Sequence, residues 1–373
     1  MNTNIKRRNL ILGGGVAAAA SAVLTTASLA TPALAASEPN VRWRLASSFP
    51  NNLDTLYSGS TGIGKIVSEL TEGKFEIQAY QPGEIVPAHQ VVDAVQNNTV
   101  EIAHTCGYYF TGKDPTFAFG TALPFGLNTR QQNAWLFNGG GNEAFNEFLA
   151  NYNIYGLVGG NTGAQMGGWF RKEIKSHEDL KGLKMRIAGI AGEVMQRLGV
   201  VPQQLPGGDL YPSLERGALD AVEWVGPYDD EKLGFYQVAP YYYYPAFWEA
   251  GPSLHFFINR DEYAKLPERY KAALDVASRT INANMISMYD VKNSLAIRQL
   301  VGKGVKLRPL PRDIMDNAYK VSFELYDEYS AKYPEWAKLY PKWKKFRGEI
   351  YEWFRVAEYS DDSYAYAMQA AGK

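Results

Sequence analysis

The sequence predicts an α/β protein of two lobes that face each other across a ligand cleft, and three observations support this prediction. Segments with strand character alternate with helical segments, which is typical of parallel βαβ units. The chain of 373 residues is long enough for two domains. No repeat, low-complexity tract or linker separates its halves, so we expect the domains to be interleaved. Open α/β sheets bind ligands at strand carboxyl ends, and two such sheets facing each other form a cleft.

The N-terminal segment, residues 1–35, has the composition of an export signal. A positive stretch, Lys6-Arg7-Arg8, precedes an uncharged apolar stretch over residues 10–34, and Ala33-Leu34-Ala35 supplies a cleavage site. The paired arginines predict the twin-arginine route, with an ordinary Sec signal or a retained anchor as alternatives. No later stretch reaches the roughly 18–20 apolar residues that a membrane-spanning helix needs. We therefore expect a bacterial periplasmic protein whose mature chain begins near Ala36.

Hydrophobic periodicity predicts the elements of the rest of the chain. Strands are predicted over residues 41–47, 75–80, 101–105, 154–159, 183–188, 218–224 and 255–259. Helices are predicted over residues 55–71, 87–97, 193–198 and 211–217, followed by a long helix over 268–301. The loop from Asn51 to Asp54 predicts a cap for the first helix.

The C-terminal segment has a heptad-like aromatic seam, which predicts a long amphipathic helix. Pro334 fits the helix start, and Pro341 predicts a kink or a restart. A stripe of this kind has to be buried. It either packs on its own chain or exchanges with a second subunit, which would make a dimer. The seam consists of Trp336, Leu339, Trp343, Phe346, Ile350, Trp353 and Ala357.

Composition excludes several functional classes. The 38 basic and 39 acidic residues nearly balance, so no nucleic-acid or anionic-membrane surface is expected. The single cysteine, Cys106, excludes an internal disulfide and fits a small buried hydrophobe. The sequence has no G-x-S-x-G, H-E-x-x-H, Walker or C-x-x-C motif, and its four histidines show no metal-ligand spacing. The usual tools of enzyme catalysis are therefore missing.

The remaining polar candidates suit the binding of an anion. Arg186 ends a short apolar strand, where its guanidinium can pair a carboxylate through two parallel hydrogen bonds. Gln165 lies in a glycine-rich run, Glu223-Trp224 ends a strand, and Glu249 follows an aromatic run. Carboxylate, amide and carbonyl oxygens suit sodium or calcium better than zinc. Each charged residue also fits an ordinary surface position, so spacing alone leaves both interpretations open.

At these residues the chain resembles the substrate-binding proteins of tripartite ATP-independent periplasmic (TRAP) transporters. The resemblance covers nearly the whole chain after the signal. Its most specific stretches are residues 177–224, HEDLKGLKMRIAGIAGEVMQRLGVVPQQLPGGDLYPSLERGALDAVEW, and the Gly-Glu pair in YQPGEIVP. The chain is similar to the 2-oxo acid/lactate branch of the family in NTGAQMGGWFRKEI, YYYYPAFWEAGPSLH and KKFRGEIYEWFRVAEYSDDSY.

The resemblance implies a periplasmic-binding-protein-like fold with the ligand cleft between its lobes and a long helix spanning both. Lobe I would comprise residues 40–162 plus 251–290, and lobe II residues 163–250 plus 291–330. The C-terminal helix, residues 331–373, would be swapped between the subunits of a homodimer.

The resemblance also implies how the ligand is held. Arg186 would anchor the substrate carboxylate. A sodium or calcium ion would bridge substrate and protein through Gln165, Glu223, the carbonyl of Trp224, and Glu249.

First-lobe positions complete the implied pocket. Tyr108, Tyr109 and Phe49 match positions that line it in the family. Trp224 stands where the dicarboxylate and sialate members carry a polar residue. Its bulky ring is expected to shrink the pocket and to disfavour a second carboxylate.

The function expected from the resemblance is capture of a small 2-oxo or 2-hydroxy monocarboxylate and its delivery to a membrane permease driven by an ion gradient. Two alternatives stay open at this point. One is a periplasmic metal-dependent enzyme that acts on such an acid, and the other is a sensor subunit that feeds a signalling partner.

Overall fold

The computed structural model describes residues 38–372. Its strands are β1 (Val41–Ser47), β2 (Phe75–Tyr80), β3 (Ile102–Thr105), β4 (Ile154–Asn161), β5 (Gly168–Phe170), β6 (Lys184–Arg186), β7 (Val201–Gln203), β8 (Ala221–Val222), β9 (Tyr241–Tyr244), β10 (Ser253–Asn259) and β11 (Lys306–Pro309). Its α-helices are α1 (Asp54–Leu70), α2 (Val91–Gln96), α3 (Thr129–Asn138), α4 (Gly141–Leu149), α5 (Gly189–Arg197), α6 (Leu210–Glu215), α7 (Pro227–Leu233), α8 (Arg260–Lys265), α9 (Glu268–Gly302), α10 (Arg312–Lys332), α11 (Pro334–Val356) and α12 (Glu358–Ala370). The predicted export signal and cleavage site lie outside the described residues.

The strands form two sheets. The first has five strands in the order β2-β1-β3-β10-β4, and the second has six in the order β11-β9-β5-β8-β6-β7. Pairs β1–β2, β1–β3, β6–β7 and β6–β8 are parallel, as the alternation of strands and helices predicts. Strand β10 instead runs antiparallel to both β3 and β4, and β5 runs antiparallel to both β8 and β9. Both sheets are therefore mixed.

The chain crosses from one sheet to the other three times. The last crossing runs from β10 to β11 through α8 and α9, and the first two are neighbouring connections, one between β4 and β5 and the other between β9 and β10. The two connections are hydrogen-bonded to each other, since the amide of Thr162 donates to Pro252 at 3.2 Å and that of Gln165 donates to Glu249 at 3.1 Å. Residues on these connections are consequently held at the junction between the sheets. The predicted boundaries of the lobes stay a prediction.

The most regular predicted elements agree with the structure. Helix α1, strand β10 and the long helix α9 lie where periodicity placed them. The predicted strand over residues 218–224 is shorter, because only Ala221–Val222 pairs with its neighbours. The aromatic run Tyr241–Tyr244 forms an interior strand of the second sheet, which the sequence analysis did not predict.

The predicted cap of the first helix is wrong. Helix α1 begins at Asp54 after an N-cap residue, Leu53, that makes no side-chain hydrogen bond to the helix. The carboxylate of Asp54 is instead bound by Tyr228, Lys232 and Lys292, which belong to α7 and α9.

The long helix α9 packs against both parts of the molecule. It contacts α1 and β4 of the first sheet and α7, which follows a strand of the second sheet. Leu274 and Met285 lie in the core, whereas Val291 and Leu295 on the same helix are exposed. A long helix that contacts β4 of the first sheet and α7 on the side of the second sheet fits the spanning element predicted from the family resemblance.

The C-terminal seam is divided between two environments. Trp336 packs against Phe119 at a ring-centroid distance of 4.6 Å and against Tyr329 at 5.0 Å, so the first half of α11 is buried on its own chain. Trp353 near the end of α11 is exposed, and no residue of α12 is buried. Helix α11 continues through Pro341, so the predicted restart does not occur.

Within residues 38–372, no helix is both long and apolar enough to cross a membrane.

Two leucines of α9 provide a test of this packing. Leu274 has no exposed surface, whereas Leu295 is 55% exposed. Leu274→Ala is expected to lower the free energy of unfolding by about 2–5 kcal/mol, because it removes buried methyl groups and leaves a cavity. Leu295→Ala is expected to change it by less than about 0.5 kcal/mol. Urea unfolding followed by circular dichroism measures both, and equal losses would show that α9 is placed wrongly.

Candidate functional site

The predicted site residues come from loops that meet between the two sheets. Arg186 ends β6, and Glu223 and Trp224 follow β8. Gln165 lies on the connection from β4 to β5, and Glu249 lies on the connection from β9 to β10. The site is therefore built at strand ends of the second sheet and at the junction between the sheets, where the fold class places ligands.

A buried ion pair forms the centre of the site. Nη1 of Arg186 contacts Oε1 of Glu223 and also donates to the Glu223 carbonyl at 2.7 Å. The two side chains are 1% and 0% exposed. Nε of Arg186 donates to the carbonyl of Leu205 at 3.2 Å, and the guanidinium lies over the Trp224 ring at 4.9 Å. The sequence had assigned these two charges to substrate and cation separately, but the structure pairs them with each other.

Five buried polar atoms around this pair have no hydrogen-bond partner. They are Nη2 of Arg186, Nε1 of Trp224, Oε2 of Glu223, Oε2 of Glu249 and Oε1 of Gln165. An unpaired buried polar group costs free energy, so such a concentration in one place indicates that a ligand completes the network. The group offers one positively charged donor, one neutral indole donor and three oxygen acceptors.

The geometry limits what Arg186 can offer to a ligand. Since Nη1 and Nε already donate to protein oxygens, Nη2 is the only guanidinium nitrogen without a partner. The two parallel hydrogen bonds predicted from the sequence would require Nη1 or Nε to be shared. Arg186 therefore presents one free charged donor rather than an open fork.

The remaining oxygens are fixed by their own hydrogen bonds. The Gln165 amide nitrogen donates to Oγ1 of Thr162 at 3.0 Å, which leaves its oxygen unpartnered. Tyr108 and Glu249 line the same recess. The main-chain hydrogen bond from Gln165 to Glu249, at 3.1 Å, links the two connections that carry these oxygens.

Burial makes ionisation of the two acids costly. Burial raises the pKa of Glu223, although the adjacent Arg186 charge opposes this shift. Burial, together with the charge of Glu223, raises the pKa of Glu249 well above its usual value. A cation placed between these two acids would replace the proton that Glu249 otherwise retains. Because the ligand atoms would be oxygens, this position suits a metal that prefers oxygen ligands.

A small recess adjoins these groups. Its internal volume is about 10 Å³, and Tyr108, Gly189, Trp248 and Glu249 are among the residues that line it. A cavity of roughly 10–15 Å³ holds about one water molecule. A ligand larger than water therefore requires the residues around the recess to move apart.

The other predicted pocket residues lie at different distances from this recess. Tyr109 packs against Tyr108 at a ring-centroid distance of 5.1 Å, and its carbonyl accepts a hydrogen bond from Gln204 at 3.0 Å. Phe49 is buried edge-on against His104 in the first sheet and does not line the recess. Trp224 packs tightly over Gly207, where even a Cβ atom would clash with its ring.

Three residues that the sequence analysis did not assign to the site lie beside it. Thr162 orients Gln165, and Cys106 is buried two residues before Tyr108. His89 packs against Tyr109 with their rings tilted, and burial together with the Arg186 charge lowers the pKa of His89 to about 4. None of the three has a sequence signal of its own, because each is recognised only through its neighbours in space. Cys106 is also buried, as predicted.

The donor set excludes the common transition-metal arrangements. Within residues 38–372, no group of three or more His, Cys, Asp or Glu side chains is arranged to hold a metal ion. A cation would have to use the two glutamates with the Gln165 amide and a main-chain carbonyl. Such oxygen ligands are typical of sodium and calcium.

Comparison with known proteins places this site in a family. The family model described as bacterial extracellular solute-binding protein, family 7, matches residues 46–332. The chain belongs to this family. The predicted family and its role in solute binding are confirmed.

A relative from Nostoc sp., named monocarboxylate 2-oxoacid-binding periplasmic protein, is 46% identical over 365 residues, which cover 98% of this chain and all of the relative.

Solved structures of family members confirm the two-lobed fold. A TRAP transporter solute-binding protein from Bordetella bronchiseptica is 49% identical with a TM-score of 0.88, and covers 90% of this chain and all of its own. It is described as a mixed-occupancy dimer with copurified calcium and picolinate in one active site.

A family member from Pseudoalteromonas atlantica is 38% identical with a TM-score of 0.83, over 87% of this chain and 98% of its own, and contains sodium and pyruvate. One from Colwellia psychrerythraea is 35% identical with a TM-score of 0.84, over 87% and 99%, and contains calcium and pyruvate.

Two glutamine substitutions test the electrostatics of the site in chelator-treated protein without sodium. The pKa of Glu249 in the folded state lies above its unfolded value of about 4.3. Above about pH 4.3 the unfolded chain releases this proton more readily than the folded chain does, so Glu249 lowers the free energy of unfolding there and has no such effect at lower pH. Glu249→Gln is therefore expected to raise the free energy of unfolding by about 1–3 kcal/mol near pH 8, and by less near pH 5.

The matched substitution, Glu223→Gln, should have the opposite effect. It leaves Arg186 buried without a charged partner, so we expect a loss of about 3–5 kcal/mol. Urea unfolding at both pH values measures the two variants. Destabilisation by Glu249→Gln at the higher pH would contradict this account of the site.

Proposed function

We propose that this chain is the periplasmic solute-binding subunit of a TRAP transporter. It captures a small 2-oxo or 2-hydroxy monocarboxylate of the pyruvate or lactate type, together with a sodium or calcium ion, and delivers the acid to a membrane permease. The observation that carries the proposal is the buried set of unpartnered atoms, one from Arg186 and three oxygens from Gln165, Glu223 and Glu249. This set matches a carboxylate and a cation bound side by side.

The acid is assigned from the recess and from the relatives. Nη2 of Arg186 donates to the ligand carboxylate, and the Trp224 ring against the guanidinium keeps that donor in place. The recess of about 10 Å³ has to widen even for a small acid, so it leaves little room for a second carboxylate. Relatives with pyruvate in their structures support the same class of ligand.

The cation is assigned from the oxygens. Oε1 of Gln165, Oε2 of Glu223 and Oε2 of Glu249 are unpartnered, and the carbonyl of Trp224 is a fourth candidate. When bound, the ion supplies the positive charge that lets both acids remain ionised beside a carboxylate ligand. The chain itself contributes the orientation of these oxygens and the exclusion of water from the recess.

Binding without chemistry fits the titratable groups better than catalysis does. Burial lowers the pKa of His104 and of His255 to about 3, and burial raises the pKa of the Cys106 thiol. These groups are poor proton carriers and nucleophiles near neutral pH. The alternative of a periplasmic metal-dependent enzyme would therefore have to use as its base one of the two glutamates that the proposal assigns to the cation.

Capture requires the two lobes to open and close. We propose that the connections carrying Gln165 and Glu249 form part of the hinge, because both join one sheet to the other. The predicted lobe boundaries at residues 162–163 and 250–251 lie on these connections, which supports that part of the prediction. Closure has to be marginal, because a permease must be able to release the ligand. Export of the folded protein through the twin-arginine route remains part of the proposal.

Titration calorimetry tests the function directly. Chelator-treated protein is titrated with pyruvate, lactate and a larger 2-oxo acid, with calcium, with sodium, or with neither ion. We expect pyruvate to bind only when a cation is present, and the acid to be recovered unchanged. Consumption of the acid would support the enzyme alternative, and tight binding without any cation would contradict the oxygen site.

A substitution of Arg186 separates its charge from its geometry. Arg186→Lys keeps a positive partner for Glu223, so the buried acid is not left without a counter-charge. We expect the affinity for pyruvate to fall by about 30- to 100-fold, because a lysine cannot hold Glu223 and the ligand from one planar group. Wild-type affinity in this variant, with an unchanged circular dichroism spectrum, would refute the anchoring role.

The C-terminal helices are the proposed dimer contact. Trp353, Tyr359, Tyr364 and Tyr366 are exposed on α11 and α12, and no residue of α12 is buried on its own chain. A cluster of exposed aromatic side chains is typical of an interaction surface. We propose that α12 and the end of α11 are exchanged with a second subunit, as the family resemblance implies.

Removal of α12 tests the dimer. A chain that ends after Ala357 is expected to sediment as a monomer at concentrations where the full chain sediments as a dimer. At low protein concentration, the free energy of unfolding of the truncated chain should equal that of the full chain. Trp353→Ala should weaken association, while Leu295→Ala, an exposed apolar position on α9, should not. A truncated chain that remains dimeric would contradict the exchange.

A further inference from the structure

Asp54 lies at the centre of a cluster of charged and aromatic side chains that the binding site does not use. Its carboxylate accepts hydrogen bonds from the Tyr228 hydroxyl at 3.0 Å to each oxygen and from Nζ of Lys292 at 2.8 Å, and it also contacts Nζ of Lys232. Both ammonium groups lie over the Tyr228 ring, at 4.6 and 4.4 Å. One carboxylate therefore binds three donors at once.

The cluster joins parts of the chain that belong to different sheets. Asp54 begins α1, which follows β1 of the first sheet, whereas Tyr228 and Lys232 lie on α7, which follows β8 of the second sheet. Lys292 lies on α9, the helix that packs against both α1 and α7. Because α1 and α7 each begin just after the carboxyl end of a strand, this contact spans the opening between the two sheets.

Helix α7 also connects the cluster to the ligand site. It begins three residues after Trp224, and Asp230 on α7 accepts hydrogen bonds from Trp169 at 2.9 Å and Tyr242 at 2.7 Å in the second sheet. On its other side, Asp229 accepts from Tyr289 of α9 at 2.6 Å. The helix is thus attached by side-chain hydrogen bonds to β5 and β9 of the second sheet and to α9.

The strength of the contact depends on its partial exposure. The side chains of Asp54, Lys232 and Lys292 are 49%, 33% and 28% exposed. Partial burial raises the pKa of Asp54, but the hydrogen bonds from Lys232, Lys292 and Tyr228 outweigh it and hold the pKa below its usual range. The carboxylate is charged at neutral pH, and salt should weaken its attraction to the two lysines.

We propose that Asp54 is the acceptor of an electrostatic latch, formed with Tyr228, Lys232 and Lys292, that holds the two lobes together and so slows the release of ligand from a site it does not touch. The latch is complete only when α1 and α7 approach each other. It makes the affinity for ligand depend on ionic strength independently of the charges inside the site.

Neutral substitutions of the latch provide the test. Asp54→Asn and Lys232→Met are compared with wild type and with Asp316→Asn, which removes an exposed ion pair to Arg312 inside α10 alone. Cysteines at the exposed positions Lys65 and Arg216 carry spin labels that report the distance between the lobes, while Cys106 is buried and stays unlabelled. The distance distribution is measured with and without pyruvate and calcium.

We expect Asp54→Asn to lower the ratio of closed to open protein by roughly three- to tenfold at about 0.01 M salt. This is the effect expected when a partly exposed carboxylate that binds several donors loses its charge. The dissociation rate of pyruvate in the presence of calcium should rise by the same factor. Both differences should shrink at about 1 M salt. Asp316→Asn should match wild type, and the double variant of Asp54 and Lys232 should lose less than the sum of the single variants.

Equal ratios of closed to open protein in wild type and Asp54→Asn at low salt would overturn the latch. Only the dissociation measurement rests on the proposed function. If wild type binds pyruvate with neither calcium nor sodium, the proposed ligand is wrong, and the distance distributions of the ligand-free proteins still decide whether the latch exists.

Discussion

The buried ion pair between Arg186 and Glu223 is the interaction on which the site depends. Two opposite charges with almost no exposure are tolerated because each is paired and because the guanidinium has further acceptors in the Glu223 and Leu205 carbonyls. The pair uses only part of the hydrogen-bonding capacity of each group. One nitrogen and one oxygen remain available, and they set the polarity that a ligand must match.

The connections between the sheets add a second constraint. Gln165 and Glu249 lie on adjacent connections that are hydrogen-bonded to each other, so their unpartnered oxygens are positioned by the same backbone that joins the lobes. An acid buried there holds a proton unless a cation replaces it, because burial and the neighbouring carboxylate both raise its pKa. The segments that carry the site oxygens also join the two sheets, and a bound cation changes the charge on these segments. Binding at the site and the arrangement of the lobes are consequently linked.

Helix α7 extends this link away from the site. The helix follows the segment that carries Glu223 and Trp224, and its own side chains contact the second sheet, α9 and Asp54. The lysine and tyrosine that bind Asp54 are therefore linked through one short helix to the strand end that carries Glu223. The C-terminal aromatic seam has a separate role, since its buried half completes the core and its exposed half is available to a partner chain.

Features that depend on the local pattern of residues were predictable from the amino-acid sequence. Alternation of strands and helices, the long α9, the buried Cys106 and the family motif around Arg186 are all expressed in consecutive residues. The residues proposed for the site could be named from the motif, and five of them contribute unpartnered buried atoms.

Contacts between segments far apart in the chain could be identified only in the three-dimensional structure. The antiparallel placement of β10, the interior position of Tyr241–Tyr244 and the displacement of Phe49 from the recess depend on pairing between segments far apart in the chain. The same holds for the pairing of Arg186 with Glu223 and for the use of Asp54 by α7 and α9 rather than as a helix cap. Periodicity indicates which face of a helix or strand is buried. The partner of a buried charge is fixed by three-dimensional packing, and a single sequence contains no direct signal for that pairing.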